Sequence, residues 1–574
     1  MLFSVGRLID AGLVRASLRA QPALECGDPS PRWRGRPGNP GPLAFSPQAG
    51  HSVRRSAALA CAAFILLLAA CGQRAATPAD AIVVGQVAEP RSLDPHVATA
   101  TNDFRILAHV YEGLVRFEPG TLDLGPSLAR EWSVGEDGRR YTFKLRDDVV
   151  FHDGSAFDAE AVRFNFGRML DGDHPFADTG PFPMAFLFSM VESIETPDPH
   201  TVVFKLNEPY APFLSNLAYP TGYMVSPAQV RAEGSRFGRD PSGTGPWRFR
   251  EWARQRWVLL ERFEAHRDTA SGTGVNRLIF RPLPDENSRL TELLAGNIDL
   301  LVEAPPDLVG YLREHGDFAV TETEGSHLWF LILNTREPPF DDVRVRRAVN
   351  YAVDKEAITR DLLQDTASVA HGVISRVFDW ASNPDVRPYP HDPEKARRLI
   401  EEAGHAGATV RLYATESGSG MLEPLPMASA LQADLARVGL NVRIEVFEWN
   451  TFLARVNAGL EGRAHMAQMA WITHDPDTLP SLALSSTALP EAGGFNSGYF
   501  ENKRLDELLA AARRTTDFGE RGRLYRDIDR LVHEEAPFLF VAAWRQNAVH
   551  SRALRGMRLE PSFLLNLTEV EKVR

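Results

Sequence analysis

All three cysteines of this chain, Cys26, Cys61 and Cys71, lie within its first 71 residues. Residues 72–574 therefore contain neither an internal disulfide nor a thiolate metal site. A folded segment of that length has to be held together by buried apolar surface, which a chain of this size can supply without covalent cross-links. Hydrophobic residues make up 44% of the sequence and charged residues 24%, as in globular proteins. The cysteine distribution thus predicts a large globular body after residue 71.

The charge balance excludes one broad class of partner. The chain has a formal net charge of −12, and its first 71 residues carry eight arginines against three acidic residues. Residues 72–574 therefore carry a net charge of −17. An acidic body of this kind stays soluble, whereas nucleic-acid binding needs clustered lysine and arginine. We predict no nucleic-acid partner.

Residues 53–71 have the organisation of an export signal. Two arginines precede an uninterrupted apolar run from Ala57 to Ala70, and small residues lead into Cys71. This order of basic, apolar and small residues is typical of a secretory signal peptide. As a helix the run is about 21 Å long, too short for a hydrocarbon core of about 30 Å. We therefore expect a cleaved signal and not a permanent span.

The sequence Leu-Ala-Ala-Cys that ends at Cys71 resembles the bacterial lipobox, whose cysteine is diacylated and becomes the mature N-terminus. The resemblance implies that Cys71 is a lipid anchor and that residues 72–78 are a tether. Two or more acyl chains give stable anchoring, whereas one is marginal. The alternative is a free cysteine in an apolar run, as Cys61 is. The expected location is the periplasm or cell envelope, with the protein lipid-anchored to a membrane.

Residues 1–52 do not fit the start of a signal peptide. The stretch from Gly27 to Gly50 is rich in proline, glycine and arginine and has no hydrophobic periodicity. We interpret residues 1–52 as a non-native or disordered extension, with translation starting near Val53.

Beyond residue 79 the pattern alternates between short apolar strands and amphipathic helices, which indicates an α/β fold. Helix starts are marked by capping aspartates and helix ends by glycine. The predicted elements are strands at Ala81–Gly85, Tyr141–Leu145 and Val442–Val446, and helices over Asp103–Leu114, after Asp158, from Asp392 to Gly404, over Met427–Val438 and over Arg504–Arg514.

The stretch from Trp132 to Arg168, WSVGEDGRRYTFKLRDDVVFHDGSAFDAEAVRFNFGR, closely resembles the signature of the family 5 extracellular solute-binding proteins. It joins a DG turn, a TFKLR strand, an FHDG turn and a helix that starts FDAE. The resemblance covers about residues 80–570, because further matches follow in order: Ser92–His96, Tyr111–Leu114, Gly243–Trp247, Asn334–Ala352, Asn496–Tyr499 and Glu535–Pro537.

The resemblance implies a two-lobed periplasmic-binding-protein type II fold with three domains, the large form of family 5. Lobe I would join residues 79–121, 245–334 and 535–574; a second domain would be inserted at 122–244; lobe II would span 335–534. It also implies a substrate-binding protein of an ABC importer, which closes its lobes on a solute and delivers it to permease and ATPase subunits. We expect a monomer.

Oligopeptide receptors of this family carry a W-x-x-D motif whose aspartate pairs with the ammonium group of the peptide. Here the stretch reads WITHDPD from Trp471 to Asp477, and His474 takes the position of that aspartate. We predict that Asp475 or Asp477 binds the ammonium, because an enclosed charge needs a partner. The predicted site also contains His474, Trp471 and Thr473. The alternative is that Asp-Pro-Asp only forms a turn and caps the next segment.

Two further residues belong to the predicted site. Trp449 resembles the tryptophan of an E-W-x-T-F-L segment that lines a side-chain pocket in oligopeptide receptors, and rigid apolar walls accept many side chains. Asn496 belongs to the matching Asn-Ser-Gly-Tyr segment. A purely structural core role is the alternative for both tryptophans.

Short peptides are the predicted ligand, and other solutes remain open. Nickel receptors of the family use a histidine near the tryptophan with an organic chelator, and His465 or His474 could serve such a chelate. Glutathione, opines and sugars are further candidates, as is a ligand-sensing or chaperone role. We predict no cofactor, no resident metal and no enzyme activity, since the sequence lacks G-x-S-x-G, H-E-x-x-H and P-loop motifs.

Overall fold

The computed structural model of the protein describes residues 77–268, 273–418 and 420–573. The predicted extension over 1–52, the signal peptide over 53–71 and the anchor at Cys71 lie outside these residues. No helix within the described part of the chain is long and apolar enough to cross a membrane.

The described residues alternate between strands and helices, as predicted for an α/β protein. The strands are β1 Ala81–Gln86, β2 Val115–Phe117, β3 Leu124–Pro126, β4 Ala129–Val134, β5 Arg140–Leu145, β6 Val191–Asp198, β7 Thr201–Leu206, β8 Trp247–Ala253, β9 Trp257–Arg262, β10 Arg277–Pro282, β11 Leu300–Val302, β12 Phe318–Glu324, β13 His327–Leu333, β14 Ala367–Val369, β15 Thr409–Thr415, β16 Asn441–Phe447, β17 Met466–Ile472, β18 Phe538–Ser551, β19 Leu554–Arg555 and β20 Glu571–Lys572.

The α-helices are α1 Thr101–Val110, α2 Ala159–Leu170, α3 Phe213–Ala218, α4 Pro227–Glu233, α5 Glu286–Leu294, α6 Pro306–Glu314, α7 Val343–Ala352, α8 Lys355–Ala357, α9 Pro393–Glu402, α10 Pro424–Arg437, α11 Trp449–Asn457, α12 Thr478–Ala483, α13 Lys503–Arg514 and α14 Phe518–Glu535.

One twelve-stranded mixed sheet runs through the protein in the order β16-β15-β17-β13-β18-β11-β1-β10-β9-β8, with β12 and β14 also paired to β18. Every residue of β1 and of β13 is buried. Strands covered on both faces read as near-continuous apolar runs, as the sequence HLWFLIL of β13 does.

A second, antiparallel sheet in the order β4-β5-β7-β6 has its own core. Helix α2 packs on it through aromatic rings: Phe204 contacts Phe143 and Phe166 edge-on at centroid distances of 5.7 and 5.0 Å. This sheet falls within the range 122–244 that was predicted as an inserted domain.

Helix caps were predicted well from local sequence. The Asp158 carboxylate accepts a hydrogen bond from the Ala161 N–H, and Asp392 caps α9 in the same way. Gly404 follows α9 with a φ of +80°, a conformation that favours glycine. The other predicted strands and helices are confirmed within a few residues at each end, for β1, β5, β16, α10 and α13.

The predicted helix over Asp103–Leu114 is confirmed only as far as Val110. Tyr111 adopts an extended backbone, and its buried hydroxyl donates to the Leu93 carbonyl at 2.8 Å. Gly113 then pairs with Tyr223 in an isolated bridge. Tertiary contacts of this kind end the helix one turn before the apolar periodicity does.

Strand β18 connects the two halves of the large sheet. Its first half, from Phe538, pairs with β13 and β14, and its second half, up to Ser551, pairs with β12 and β11. The chain crosses at the same place between β12 and β13, around Gly325. The predicted end of lobe I at residue 334 stays a prediction. Strand β13 ends just before that residue and pairs with β17, which falls in the range predicted as lobe II.

Gly325 has no room for a side chain. A Cβ at this position would lie 2.2 Å from a ring carbon of Phe563, which is fully buried beside Trp544. We expect Gly325→Ala to lower the free energy of unfolding by about 1–3 kcal/mol, because overpacking displaces the ring. Chemical denaturation of the variant and its parent measures this.

Gly316→Ala is the matched control, since an added Cβ there meets no described atom within 4 Å. Its free energy of unfolding should stay within about 0.5 kcal/mol of the parent. Equal stability of the two variants would contradict the tight packing at the crossing.

Candidate functional site

The large sheet contains two groups of parallel strands, one on either side of β13 and β18. Strand β1 runs parallel to β10 and β11, and β15 runs parallel to β16 and β17. Ligands of open α/β sheets bind outside the carboxyl ends of such strands. Trp449 follows β16, Trp471 lies near the end of β17, and His474 comes just after it. The structure therefore places these predicted residues at one edge.

The two tryptophans form apolar walls at this edge. Glu448 caps α11 by accepting from two backbone N–H groups, which places Trp449 at the first helical position. The Trp449 ring stacks on Phe452 and lies against Gly418, where a Cβ would be 2.4 Å from the ring. Trp471 meets Phe495 edge-on. Both tryptophans are only partly buried, so part of each ring stays accessible.

His474 reaches across to the range predicted as the inserted domain. Its Nε2–H donates to the Asn216 side-chain carbonyl at 2.8 Å, and its ring stacks on Tyr219 at 4.5 Å. The Asn216 amide nitrogen donates to the Leu187 carbonyl, which fixes its orientation. Burial lowers the pKa of His474 to about 4, so the imidazole is neutral at pH 7.

The two predicted ammonium partners are buried and already paired with arginines of the chain. Asp475 accepts from Arg521 Nη2 at 2.6 Å and from the Ser215 hydroxyl at 2.8 Å. Asp477 accepts from Arg513 Nε at 2.9 Å. A ligand ammonium at either carboxylate would have to compete with a guanidinium that is in place. The assignment of Asp475 and Asp477 stays a prediction.

Thr473 and Asn496 bond within the chain. The Thr473 N–H and hydroxyl both donate to the Ser326 carbonyl, at 3.0 and 3.2 Å, beside the β12–β13 crossing. The Asn496 amide donates to the Ser485 and Phe500 carbonyls and accepts from the Phe500 N–H. These contacts leave Asn496 fully buried in a loop. Ligand binding by either residue stays a prediction.

Sequence reasoning missed an ion pair on the other group of strands. Arg105 of α1 donates to Glu303, which directly follows β11, at 2.5 Å. Arg105 stands in the apolar sequence FRILAHV, and an arginine on a buried helix face was the available signal. Tyr219 was also missed, and nothing in its loop sequence marks it.

Two cavities are lined mostly by residues other than those predicted for the site. One of about 300 Å³ is lined by Tyr210, Asp477 and Arg513, among others. Another of about 460 Å³ is lined by residues that include Glu112 and Asn566. Neither is lined by the two tryptophans or by Arg105.

The described residues contain no group of three or more His, Cys, Asp or Glu side chains arranged to hold a metal ion. His465, one of the two candidates for a nickel chelate, accepts from the Arg411 N–H through Nδ1. The other candidate, His474, uses its Nε2–H in the hydrogen bond to the Asn216 side chain.

Comparison with known proteins identifies the fold. Residues 123–490 match the family described as bacterial extracellular solute-binding proteins, family 5 Middle. The chain belongs to the family 5 extracellular solute-binding proteins. This family is a solute-binding class, and the chain shares the fold of its solved periplasmic members.

Three relatives of this solute-binding protein are close enough to compare. Di/tripeptide-binding protein 2 of Pseudomonas aeruginosa is 32% identical, over 88% of this chain and 98% of its own. The glutathione-binding protein GsiB of Pectobacterium atrosepticum is 30% identical, over 84% and 92%. The dipeptide-binding protein of Pseudoalteromonas sp. SM9913, solved with Met-Leu, has a TM-score of 0.74 and 27% identity, over 86% and 100%.

Acid should destabilise this solute-binding protein through its buried histidines. Burial lowers the pKa to about 4 for five of them: His96, His109, His152, His327 and His474. Between pH 6.5 and 4 the unfolded chain binds protons that the folded protein does not. The free energy of unfolding should therefore fall as pH is lowered through this range, by up to about 1.4 kcal/mol per unit for each histidine.

His474→Gln keeps a donor for Asn216 but cannot titrate. We expect its free energy of unfolding to depend less steeply on pH between 6.5 and 4 than that of the parent. The slopes should differ by at most the contribution of one bound proton, about 1.4 kcal/mol per pH unit. A parent slope in the His474 variant, measured by denaturation at several pH values, would argue against a buried neutral imidazole.

Proposed function

We propose that this protein captures a short peptide, or a closely related small solute, between its two groups of parallel strands and delivers it to the permease and ATPase subunits of an ABC importer. The arrangement of accessible tryptophan faces at the carboxyl ends of β16 and β17 carries this proposal, together with relatives that bind di/tripeptides and glutathione. We propose no catalytic role for the chain.

The proposed hinge is the place where β18 and the β12–β13 link pass between the two halves of the large sheet. Only β18 and the β12–β13 link, around Gly325, would have to bend for the two groups of strands to separate, and hinges of this kind need φ/ψ changes at a few residues. We propose that the lobes divide at this crossing, with residues 122–244 inserted in lobe I. Contacts of His474 and Asp475 with Asn216 and Ser215 would then hold the closed form.

In the proposed complex the tryptophans line the solute and the Tyr219–His474 stack closes one side. Asp475 or Asp477 is the proposed ammonium partner, and the ligand ammonium would take the place of the arginine now paired with that carboxylate. A micromolar ligand supplies about 8 kcal/mol of binding free energy, which also has to cover lobe closure.

Thermal unfolding with di- to pentapeptides, glutathione and nickel–histidine tests the ligand class. A ligand at 100 times its Kd adds about 2.7 kcal/mol of stability. We expect peptides or glutathione to raise Tm. Stabilisation by nickel–histidine alone would contradict the peptide proposal.

The same screen on Asp475→Ala and Asp477→Ala tests the ammonium partner. One variant should lose the peptide response relative to its own unliganded Tm, whereas Asp379→Ala, at an exposed position, should keep it. An unchanged response in both site variants would refute the assignment.

We further propose that the protein is a monomer, anchored by lipid at Cys71 after export. Expressed in a bacterial host, the parent should fractionate with membranes, and Cys71→Ser should be released because it carries no acyl chains. Cys61→Ser, in the apolar run, is the control and should stay with membranes. Immunoblots of the fractions decide this; a Cys71 variant that stays membrane-bound would refute lipid anchoring there.

A further inference from the structure

Arg105 is a buried cation with few partners. Its side chain is 0% exposed, and Nη2 donates to Glu303. Its Nε and Nη1 are buried and have no acceptor among residues 77–268, 273–418 and 420–573. A guanidinium offers five N–H donors, and each buried donor without an acceptor costs about 1–3 kcal/mol or more. The unused donors mark a place where an acceptor from outside the chain is favoured.

The ion-pair partner is held in a fixed position. Glu303 has a φ of +60°, a strained conformation for this residue type. Asn547 maintains it: its side chain accepts from the Ala304 N–H at 2.7 Å and donates to the Ala304 carbonyl at 3.2 Å. Its main-chain carbonyl accepts from the Glu303 N–H at 3.1 Å. These bonds hold the backbone from which the Glu303 side chain reaches Arg105.

The pair lies where the proposed cleft reaches the crossing. Glu303 follows β11, which is parallel to β1, so it stands at the carboxyl ends of these strands. Burial lowers the pKa of His327, the first residue of β13, and the nearby Glu303 charge opposes that shift. His327 in turn bonds to the Gly420 carbonyl, in the segment that follows β15. The Glu303 carboxylate thus lies near β13, which belongs to the other half of the large sheet.

Neighbouring strands add further polar atoms without partners in the described chain. They belong to side chains that are at most 1% exposed: Gln86 Oε1 on β1, Gln546 Oε1 on β18 and Trp329 Nε1 on β13. Strands β13, β18, β11 and β1 are consecutive in the sheet.

Arg168 shows what a structural buried arginine looks like here. It also has an unpaired Nε and Nη1, but it bonds to both oxygens of Asp94 and contacts His96. The rings of Phe182 and Phe237 lie 5.1 and 5.8 Å from its guanidinium carbon. Cation–π contacts account for that arginine, whereas no aromatic ring among the described residues is placed over Arg105.

We propose that Arg105 binds a carboxylate of the captured solute through its unpaired N–H groups. This deepens the proposed function and rests on it. A carboxylate is favoured over a phosphate because Arg105 is already shared with Glu303, and a second negative charge on the ligand would add to the repulsion from the Glu303 carboxylate. Charge-assisted hydrogen bonds to a guanidinium supply the selectivity for an anion over a neutral isostere.

The test compares acetate with acetamide, a neutral molecule of the same size, and with inorganic phosphate at constant ionic strength. Thermal unfolding of the parent should show stabilisation by acetate above that by acetamide or phosphate. In Arg105→Gln the apparent affinity for acetate should fall at least tenfold, with the acetamide response unchanged. Arg105→Lys, which keeps the charge, should retain part of the acetate response.

Arg346→Gln is the matched control. Arg346 is also buried, but its nitrogens donate to the Glu535, Phe340 and Asp341 carbonyls within the chain. The control should lose stability and keep the parent's preference for acetate. A parent that does not distinguish acetate from acetamide, an unchanged acetate affinity in Arg105→Gln, or stronger stabilisation by phosphate would each overturn the proposal.

A peptide arm separates this proposal from the proposed function. Ala-Ala-Ala should stabilise the parent more than its C-terminal amide, and that difference should vanish in Arg105→Gln. If the acetate results hold and no peptide binds, the peptide proposal fails and the carboxylate site stands. If acid and amide bind the parent equally, Arg105 does not take the peptide terminus and the link between the two proposals is broken.

Discussion

The structure depends on one fourteen-residue strand, β18, which pairs with strands of both halves of the large sheet. Its first half pairs with β13 and β14 and its second half with β11 and β12. A single buried strand therefore joins two groups of parallel strands whose carboxyl ends face a common space. Because so few segments cross, the proposed motion is confined to β18 and the segment around Gly325.

The buried charges that follow β17 and those that follow β11 are paired differently. After β17, Asp475 and Asp477 are neutralised by Arg521 and Arg513, and their segment contacts Ser215 and Asn216 of α3. Breaking such a buried pair costs about 3–5 kcal/mol, so a ligand ammonium that replaces either arginine has to offset that cost. After β11, the Arg105–Glu303 pair leaves guanidinium donors unused. We propose that these donors bind a carboxylate of the solute.

Local sequence predicted the parts of the fold that local chemistry determines. The caps at Asp158 and Asp392 and the α/β alternation follow from hydrogen bonding and hydrophobic period. The end of α1 could not be predicted, because a tertiary bond of Tyr111 sets it. The site was predictable only on one side. The pattern placed Trp449 after a predicted strand, and the family resemblance pointed to Trp471 and His474. The partners of Asp475 and Arg105, however, lie 46 to 260 residues away in the chain.

The most direct test of the central claim is a crystal structure of the protein with the solute it carries when purified. The account predicts electron density for that solute between the carboxyl ends of β1 and β11 and those of β15 to β17, with a carboxylate within hydrogen-bonding distance of Arg105 Nε or Nη1. Solute density in the cavity lined by Glu112 and Asn566, with Arg105 uncontacted, would contradict it.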